Sequence, residues 1–546
     1  MTNKRKGLFG FSSLLLILYL IFMCNGKNIN LYSLMGIPAY MNVPVLSKEE
    51  LTEKISGKEQ IFLEEGLYYN YAKAPMDIDR QTVYIYQNPE EDSWEGSFSL
   101  DEVLRSKEYK SYFLEDTFFD DKKEAIKQGH TFSLYIIGED YYKMDVVFSG
   151  LGIINITKQY ELPKEEIDYF DDPDAFVFDK QIESVGEVTV LSAGSDASYQ
   201  TVQGYVKYRL KGATSINFPK KGYAITFIDE NGRDVSIPVF GMDGYPKWKL
   251  NALWLDDTLV REKSAIDIWN LIDDENQKVD NGSFQAKYVE FICEGSYLGV
   301  YLLVEAVDED KLALDNNDIL YKSISTAIIT PETIDECASY GWKVAEPYRI
   351  RYPKEIIDYS KVWAPIREYM NVFFWKGDTG DRMLQQRVHL DNLIDINILL
   401  ETCVLRDNNY KNLYIAAHMN EDGTYVMTHH PWDMDMSFDY NMGNTAVEIR
   451  ERVSSKQTMP VYDAIVKEDP RVAELFSETY TKYRTSFLDN ESITNIIEAN
   501  WDLLMNSGAY KRNYEVWDKT PVDTADHVLH FVSDRLKYLD SIYLQK

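Results

Sequence analysis

Apolar and polar residues alternate along the chain with two different periods. Residues 28–160 contain two short helical patterns and several strand-like runs, which predict a β-rich N-terminal region. The helical patterns are Ser47–Ile55 and Ser99–Ser106, and the strand-like runs include Thr82–Tyr86, Phe132–Ile137 and Lys143–Phe148. Alternating strands resume at about residue 186, helices dominate after 355, and 446–546 is mainly amphipathic helix. The pattern predicts an α+β fold with a largely helical C-terminal part, preceded by a smaller β-rich region.

An acidic stretch, Pro163–Asp179, separates the two patterns. Its density of Asp, Glu and Pro is typical of a linker or a solvated strap, so we place a domain boundary after it. The sequence therefore predicts an N-terminal region over 28–185, whose role no motif identifies, and a second domain over 186–546.

The first residues of the chain indicate its compartment. Three basic residues at positions 4–6 precede an apolar run from Leu8 to Cys24. A basic flank followed by a short apolar segment is typical of a secretory signal or an uncleaved membrane anchor, which we assign to residues 1–27. The remainder of the chain is then expected outside the cytoplasm, secreted or held at the cell membrane by this segment.

Charge excludes one class of partner. The chain has 57 Lys and Arg against 89 Asp and Glu, a formal net charge of -32. A protein that tracks nucleic-acid phosphates needs a basic face, so nucleic acid is excluded as a partner. A single phosphorylated small molecule needs only a local basic patch and is not excluded.

Such a patch lies between Ala197 and Ile228, where the chain has no Asp or Glu. Lys207, Arg209 and Lys211 alternate with apolar residues, so a strand would place these three cations on one face. A turn of small residues follows, and a lysine pair, Lys220 and Lys221, begins the next strand. Two strands joined by a small-residue turn with cations suit a polyphosphate, although a solvated basic face gives the same pattern.

A second signal lies after the predicted helix over 390–405. Asp407 and Asn412 precede a predicted hairpin made of 413–417 and 424–429, and Asp433 and Asp435 follow it. Because a hairpin returns its second end to the level of its first, Asn412 and Asp433 should meet beside Asp407. Converging side-chain oxygens suit Mg²⁺ or Mn²⁺. Paired Asp residues near a turn also act as caps or structural Ca²⁺ ligands.

The order of these residues matches the parts of a protein kinase. There an Asp accepts the proton of the substrate hydroxyl, an Asn five residues later binds metal, and an Asp after a strand pair binds metal as well. Asp407, Asn412 and Asp433 follow this order. Trp432-Asp433-Met434-Asp435 differs from the usual Asp-Phe-Gly.

Over about residues 186–546 the chain resembles the CotH-type secreted atypical kinases, a family first associated with bacterial spore coats. The resemblance is carried by Lys211-Gly212-Ala213-Thr214-Ser215, Pro219-Lys220-Lys221-Gly222-Tyr223, Lys249-Leu250, Asp257 with Arg261, Gly295–Glu305, Asp407 with Asn412, and Trp432-Asp433-Met434-Asp435. It implies a divergent protein-kinase-like fold and an ATP-dependent protein kinase. The protein substrate is expected to be basic and Ser-rich, because the acidic chain would steer such partners.

The resemblance also implies roles for individual residues. Asp407 would be the catalytic Asp, Asn412 and Asp433 the metal ligands, and Asp435 a further ligand or a group behind them. Lys220 or Lys221 would meet the phosphates of ATP, with Arg209 on the same basic stretch, and Glu305 would contact the nucleotide or simply end its strand. Two other functions fit the same sequence: a non-catalytic coat scaffold, and a transferase that moves AMP or an amino acid onto protein.

Overall fold

The computed structural model describes residues 39–162 and 182–544, except for 118, 120, 213, 277, 279–281, 326–328, 375–386, 410, 441–448, 451–452 and 454–469. The predicted signal or anchor over 1–27 and the acidic stretch Pro163–Asp179 lie outside the described residues. Within the part of the chain that the structure describes, no helix is both long enough and apolar enough to cross a membrane.

The N-terminal region is rich in strands, as the alternation predicts. Its strands are β1 (Ala39–Tyr40), β2 (Val43–Leu46), β3 (Gln60–Ile61), β4 (Leu67–Tyr69), β5 (Ala72–Lys73), β6 (Met76–Asp77), β7 (Thr82–Tyr86), β8 (Phe98–Leu100), β9 (Lys110–Leu114), β10 (Thr131–Ile137) and β11 (Tyr141–Ser149). Its helices are α1 (Lys48–Ile55), α2 (Glu102–Ser106) and α3 (Lys122–Gln128). One sheet has the order β1-β2-β9-β10-β11-β7-β6 with β3 beside β11, and β5, β4 and β8 form another.

A closed barrel follows the N-terminal sheets. Its strands are β12 (Gly152–Glu161), β13 (Ser184–Ala193), β14 (Tyr199–Lys211), β15 (Gly222–Ile228), β18 (Lys247–Asn251), β19 (Ala286–Cys293) and β20 (Ser296–Glu305), while β16 (Ile237–Val239) and β17 (Met242–Tyr245) form a separate pair. β12 closes the barrel by pairing with β13 and, in parallel, with β19. Because β12 precedes the predicted boundary at residue 186, the barrel uses residues on both sides of it.

The barrel interior explains the cationic face of β14. Alternate residues of the strands fill an apolar core, including Val206, Tyr208, Ile225, Phe227, Trp248 and Leu250. Lys207, Arg209 and Lys211 occupy the intervening positions of β14 and therefore lie on the outer face. The register places Arg209 and Lys249 on either side of Ala224, so these two cations share that face.

The rest of the chain combines one sheet with helices. The sheet has the order β22-β23-β21-β24-β25, from β21 (Ile319–Ser323), β22 (Val344–Ala345), β23 (Tyr348–Tyr352), β24 (Leu413–Met419) and β25 (Tyr425–Pro431). The helices are α4 (Arg261–Glu275), α5 (Pro331–Tyr340), α6 (Tyr359–Phe374), α7 (Leu390–Cys403), α8 (Pro470–Arg484), α9 (Asn490–Asn506), α10 (Ala509–Val516) and α11 (Asp526–Tyr543). A continuous apolar core joins α4 and the later helices to the outer face of β20. The mixed α+β class that the pattern predicts is confirmed.

A buried ion pair in this core gives a test of the fold. The Arg535 guanidinium on α11 donates to Glu401 Oε2 on α7 at 2.6 Å, and both side chains are almost fully buried. Arg535→Leu leaves the Glu401 carboxylate without its cation, so the free energy of unfolding should fall by about 3–5 kcal/mol. Lys537→Ala, which breaks an exposed pair with Asp534 on the same helix, should change it by less than about 1 kcal/mol. Urea denaturation of both variants measures the difference, and equal effects would contradict this account of the core.

Candidate functional site

The hairpin β24–β25 brings the predicted metal ligands together. Leu413 pairs with Pro431, so the residues just outside the hairpin, Asn412 and Trp432, are adjacent. The Trp432 N–H donates to the Asn412 carbonyl at 2.9 Å, which continues the ladder by one residue. Asp433 therefore comes directly after the residue that pairs with Asn412, as the hairpin prediction requires.

A buried asparagine holds this open end in place. The Asn408 side chain is fully buried and its Nδ2 donates to the carbonyls of Asn412 at 3.1 Å and Trp432 at 2.7 Å. Asn412 and Asp433 both adopt a left-handed backbone conformation, with φ of 57° and 58°. Such a conformation costs a non-glycine residue of order 1–3 kcal/mol and persists only when surrounding contacts enforce it. The hydrogen bonds of Asn408 supply part of that enforcement.

Asp407 lies directly against Asn412. Its Oδ2 accepts a hydrogen bond from Asn412 Nδ2 at 2.8 Å and lies 3.0 Å from the Lys411 Nζ. The Asp407 side chain keeps about a fifth of its surface exposed, at 19%. The catalytic candidate and one metal-ligand candidate thus form a single hydrogen-bonded unit that solvent reaches.

A group of carboxylates lies beside this unit. Asp433 and Asp435 line a cavity of about 80 Å³ together with Glu262 from the first turn of α4. Burial, followed by the charge of Asp433, raises the pKa of Glu262 to about 8. Burial also raises the pKa of Asp435 well above its usual range, and three neighbouring carboxylates raise it further; these are Asp433, Glu262 and Asp407. Four acidic side chains therefore share one region, where a cation would relieve their repulsion.

Glu262 was not singled out by the sequence. The sequence signal that could have identified it is its position next to Arg261, in the first turn of a predicted helix. Asn251, the last residue of β18, donates from Nδ2 to Glu262 Oε1 at 2.5 Å. This hydrogen bond fixes the carboxylate toward the cavity.

Cations from both halves of the chain face the same region. Lys211 lines the cavity, and its Nζ lies 5.6 Å from the centre of the Trp432 ring. The Lys322 Nζ lies over the Tyr414 ring, also at 5.6 Å, and that ring packs edge-on against Trp432. Two lysines, one from the barrel and one from the second sheet, therefore flank an aromatic pair next to Asp433.

Lys249 lies among these cations. Burial is the largest cause that holds its pKa well below the usual range. Neighbouring positive charges lower it further; they belong to Arg209, Lys211, Arg351 and Lys322. Lys249, Lys322 and Arg351 form no ion pair with any residue that the structure describes. Lys249 therefore lies in a local concentration of positive charge within an acidic chain.

Both members of the lysine pair have protein partners, and Lys220 also lines the cavity with the carboxylates. Lys220 is 2% exposed, and its Nζ donates to the Val300 carbonyl and, at 2.8 Å, to Asn513 Oδ1. The Lys221 Nζ donates to the Ile216 carbonyl at 2.6 Å, within the same loop. Both amines therefore hold protein groups in this structure.

Two other charged candidates, Glu305 and Arg209, also have protein partners. Glu305 is buried, and its carboxylate accepts from the Gln285 backbone at 2.8 Å and side chain at 2.6 Å, with the Lys311 Nζ at 2.7 Å. Arg209 is 40% exposed and lies 4.0 Å from Glu183. The contacts of Glu305 favour the strand-end alternative, whereas Arg209 is partly exposed and shares the outer face of the barrel with Lys249.

Arg261, quoted among the motifs, joins two segments around the site. Its guanidinium contacts Asp256, Asp257 at 2.6 Å and Asp439 at 3.0 Å. Asp439 comes shortly after Asp435 in the chain, so this network ties the start of α4 to the segment that carries the candidate ligands.

The donors at the site fit a hard divalent ion. Asn412, Asp433 and Asp435 offer amide and carboxylate oxygens, which Mg²⁺ and Mn²⁺ prefer. Among the described residues, no three His, Cys, Asp or Glu side chains are grouped closely enough to hold a metal by themselves. Mg²⁺ is commonly held by one or two carboxylates together with substrate phosphates and water, so a nucleotide site does not require a complete protein cage.

Comparison with known proteins agrees with this geometry. The family model described as CotH kinase protein matches residues 208–539, which is more than half of the chain. The matched segment begins in the basic strand β14 and includes the hairpin with Asp407 and Asp433 at its open end. No curated protein matches the chain. The chain belongs to the CotH kinase protein family.

Proposed function

We propose that the protein is a metal-dependent phosphotransferase that moves the γ-phosphate of ATP to Ser or Thr of a protein substrate. One observation carries the proposal. The carboxyl groups of Asp433, Asp435 and Glu262 line one cavity together with Lys211, and the charge of Lys211 in turn acts on Lys249. A triphosphate with its metal ion requires both sets of charge at neighbouring positions.

The roles follow from where each group lies. Asp433 and Asn412 would hold the metal ion, with the carboxyl groups of Asp435 and Glu262 beside them. Bound Mg²⁺ or Mn²⁺ would supply charge neutralisation at the β- and γ-phosphates. Lys211 and Lys249 would bind phosphate oxygens.

Asp407 would orient the attacking hydroxyl and accept its proton. Its Oδ2 is fixed by Asn412 and Lys411, while part of the carboxylate remains exposed to an incoming substrate. A positioned carboxylate of this kind acts as a general base or orients the acceptor.

The order of elements supports the divergent kinase-like fold that the resemblance implies. Two strands joined by a loop, β14 and β15, precede β18, then helix α4, then the pair β19–β20. The helix α7, the Asp407 turn and the hairpin β24–β25 follow in the second half. Protein kinases place a phosphate loop, a lysine strand, a helix bearing Glu, and a catalytic Asp in the same order.

We propose an extracytoplasmic location for this activity, at the cell surface or in a spore coat. The basic flank and apolar run within residues 1–27 support export or anchoring. The acidic chain would favour basic, Ser-rich protein substrates by electrostatic steering.

Substitution of Lys249, which lies among Arg209, Lys211, Lys322 and Arg351, tests nucleotide binding. Lys249→Met removes the amine that lies among the cations around Lys211 and should raise the Kd for Mg²⁺–ATP by about tenfold or more, the effect of losing roughly 1.4 kcal/mol. Lys207→Met is the matched control, because Lys207 lies on β14 but donates to the Gly232 carbonyl at 3.0 Å. Calorimetry on both variants measures the difference. Equal affinities in Lys249→Met and Lys207→Met would remove Lys249 from the phosphate site.

A further inference from the structure

The short helix α10 (Ala509–Val516) contacts loops that line the candidate site, although it lies near the C-terminus. Asn513 on this helix is buried, and its Oδ1 accepts from Lys220 Nζ at 2.8 Å and from the Val300 N–H at 3.0 Å. Lys220 belongs to the loop of residues 214–221 that precedes β15. A single atom of the helix, Asn513 Oδ1, is therefore hydrogen-bonded to both this loop and strand β20.

The close approach of Asn513 depends on a glycine. Gly299 has φ of +84°, and a Cβ at this position would lie 2.5 Å from Asn513 Oδ1. Only glycine accommodates both the left-handed backbone and the contact. The chain thus places the smallest residue where the asparagine inserts between β20 and the loop.

Lys220 is enclosed by this arrangement. Its Nζ contacts the Val300 carbonyl and Asn513 and lies 4.4 Å from the centre of the Tyr301 ring. The Tyr301 hydroxyl donates in turn to the Lys221 carbonyl at 2.9 Å. Lys220, which lines the cavity, therefore ties the loop to strand β20 of the barrel.

The neighbouring residue of the helix fixes α10 against the barrel. Arg512 forms two hydrogen bonds with Glu290 of β19, at 3.0 and 2.9 Å, and Glu290 is fully buried. The Tyr297 hydroxyl donates to the same carboxylate. A bidentate, buried pair has a defined geometry, so it sets the position of Asn513.

The same helix holds a second loop of the cavity. The hydroxyls of Tyr510 and Tyr514 donate to the Asp257 carbonyl at 2.7 and 2.6 Å. Residues 252–256, immediately before it, line the cavity beside Asp433 and Asp435. Two of the loops around the site are therefore attached to α10.

We infer that Asn513 is a positioning residue of the nucleotide site, acting through Lys220 to hold the loop of residues 214–221 against the barrel. The identity of the ligand, Mg²⁺–ATP, rests on the proposed function. The contact between Asn513 and the loop is independent of it. Lys220, which lines the cavity beside Lys211, is thereby assigned the task of anchoring the loop.

The test compares Asn513→Leu, which removes the acceptor at similar size, with Asn513→Asp, which retains it. Hydrogen–deuterium exchange of the peptide covering 214–221 and the Kd for Mg²⁺–ATP are measured on the full chain. We expect about tenfold faster exchange and about tenfold weaker binding in Asn513→Leu, with near wild-type values in Asn513→Asp. Lys511→Ala, an exposed position on the same helix, should change neither quantity.

Combining Asn513→Leu with Lys220→Met tests the route of the effect. If Asn513 acts through Lys220, the double variant should bind nucleotide within about twofold of either single variant. Unchanged loop exchange in Asn513→Leu, or fully additive losses, would overturn the inference. If the wild type binds no nucleotide but loop exchange is still faster in Asn513→Leu, the anchoring role stands and the proposed function is refuted. A melting temperature lowered equally in Asn513→Leu and Asn513→Asp, without a change in loop exchange, would show a purely structural residue.

Discussion

Asp433→Asn is expected to abolish metal-dependent ATP binding. The substitution keeps the shape of the side chain and tolerates the left-handed backbone at this position, but it removes the negative charge that a divalent ion requires. We expect the affinity for ATP in Mg²⁺ to fall by about 10²-fold, equivalent to roughly 3 kcal/mol. Calorimetry with ATP in Mg²⁺ and in EDTA measures the metal-dependent part.

A control on the same hairpin separates this effect from loss of structure. Asp422 lies in the exposed turn between β24 and β25, where it accepts from the Thr424 N–H at 2.9 Å. Asp422→Asn should leave ATP affinity unchanged. Equal affinity of wild type and Asp433→Asn in Mg²⁺ would exclude Asp433 as a metal ligand.

Asp407→Asn is expected to lower transfer while binding persists. An asparagine at this position still accepts from Asn412 Nδ2 but cannot take a proton from the substrate hydroxyl. The rate of phosphate transfer should fall by about 10²-fold or more, within the range for loss of a general base. The Kd for Mg²⁺–ATP and the melting temperature should stay close to those of wild type.

A purely structural role for Asp407 predicts a different result. If Asp407 has only a structural role after α7, through its contacts with Lys411 and Asn412, the melting temperature of Asp407→Asn should fall and activity should fall in proportion. A variant that melts, binds nucleotide and transfers phosphate as wild type does would remove Asp407 from the mechanism.

Local pattern was sufficient to predict the hairpin end of the site. Alternation over 413–417 and 424–429 fixes the two strands and their turn, and antiparallel pairing then forces Asn412 and Asp433 together. The cationic face of β14 was predictable for the same reason. Its apolar residues enter the barrel core, so Arg209 and Lys211 must lie outside.

Contacts between distant segments were not predictable in this way. Lys220 is 293 residues from Asn513 along the chain, and no local pattern shows that α10 covers the lysine. Glu262 joins the carboxylates only because the first turn of α4 reaches the cavity that Asp433 and Asp435 also line. Likewise, β12 joins the barrel by parallel pairing with β19, far along the sequence, which alternation alone does not specify.

The most direct test of the proposed chemistry follows each phosphate of ATP separately. The purified protein is incubated with Mg²⁺ or Mn²⁺ and a basic, Ser-containing protein, once with ATP labelled at the γ-phosphate and once at the α-phosphate. We expect γ-label on the substrate or on the protein itself, its loss in Asp433→Asn and Asp407→Asn, and no transfer of α-label. Transfer of α-label would instead show that AMP is moved. Transfer of neither label, to any substrate tested or to the protein itself, would contradict the phosphotransferase assignment and favour the coat scaffold.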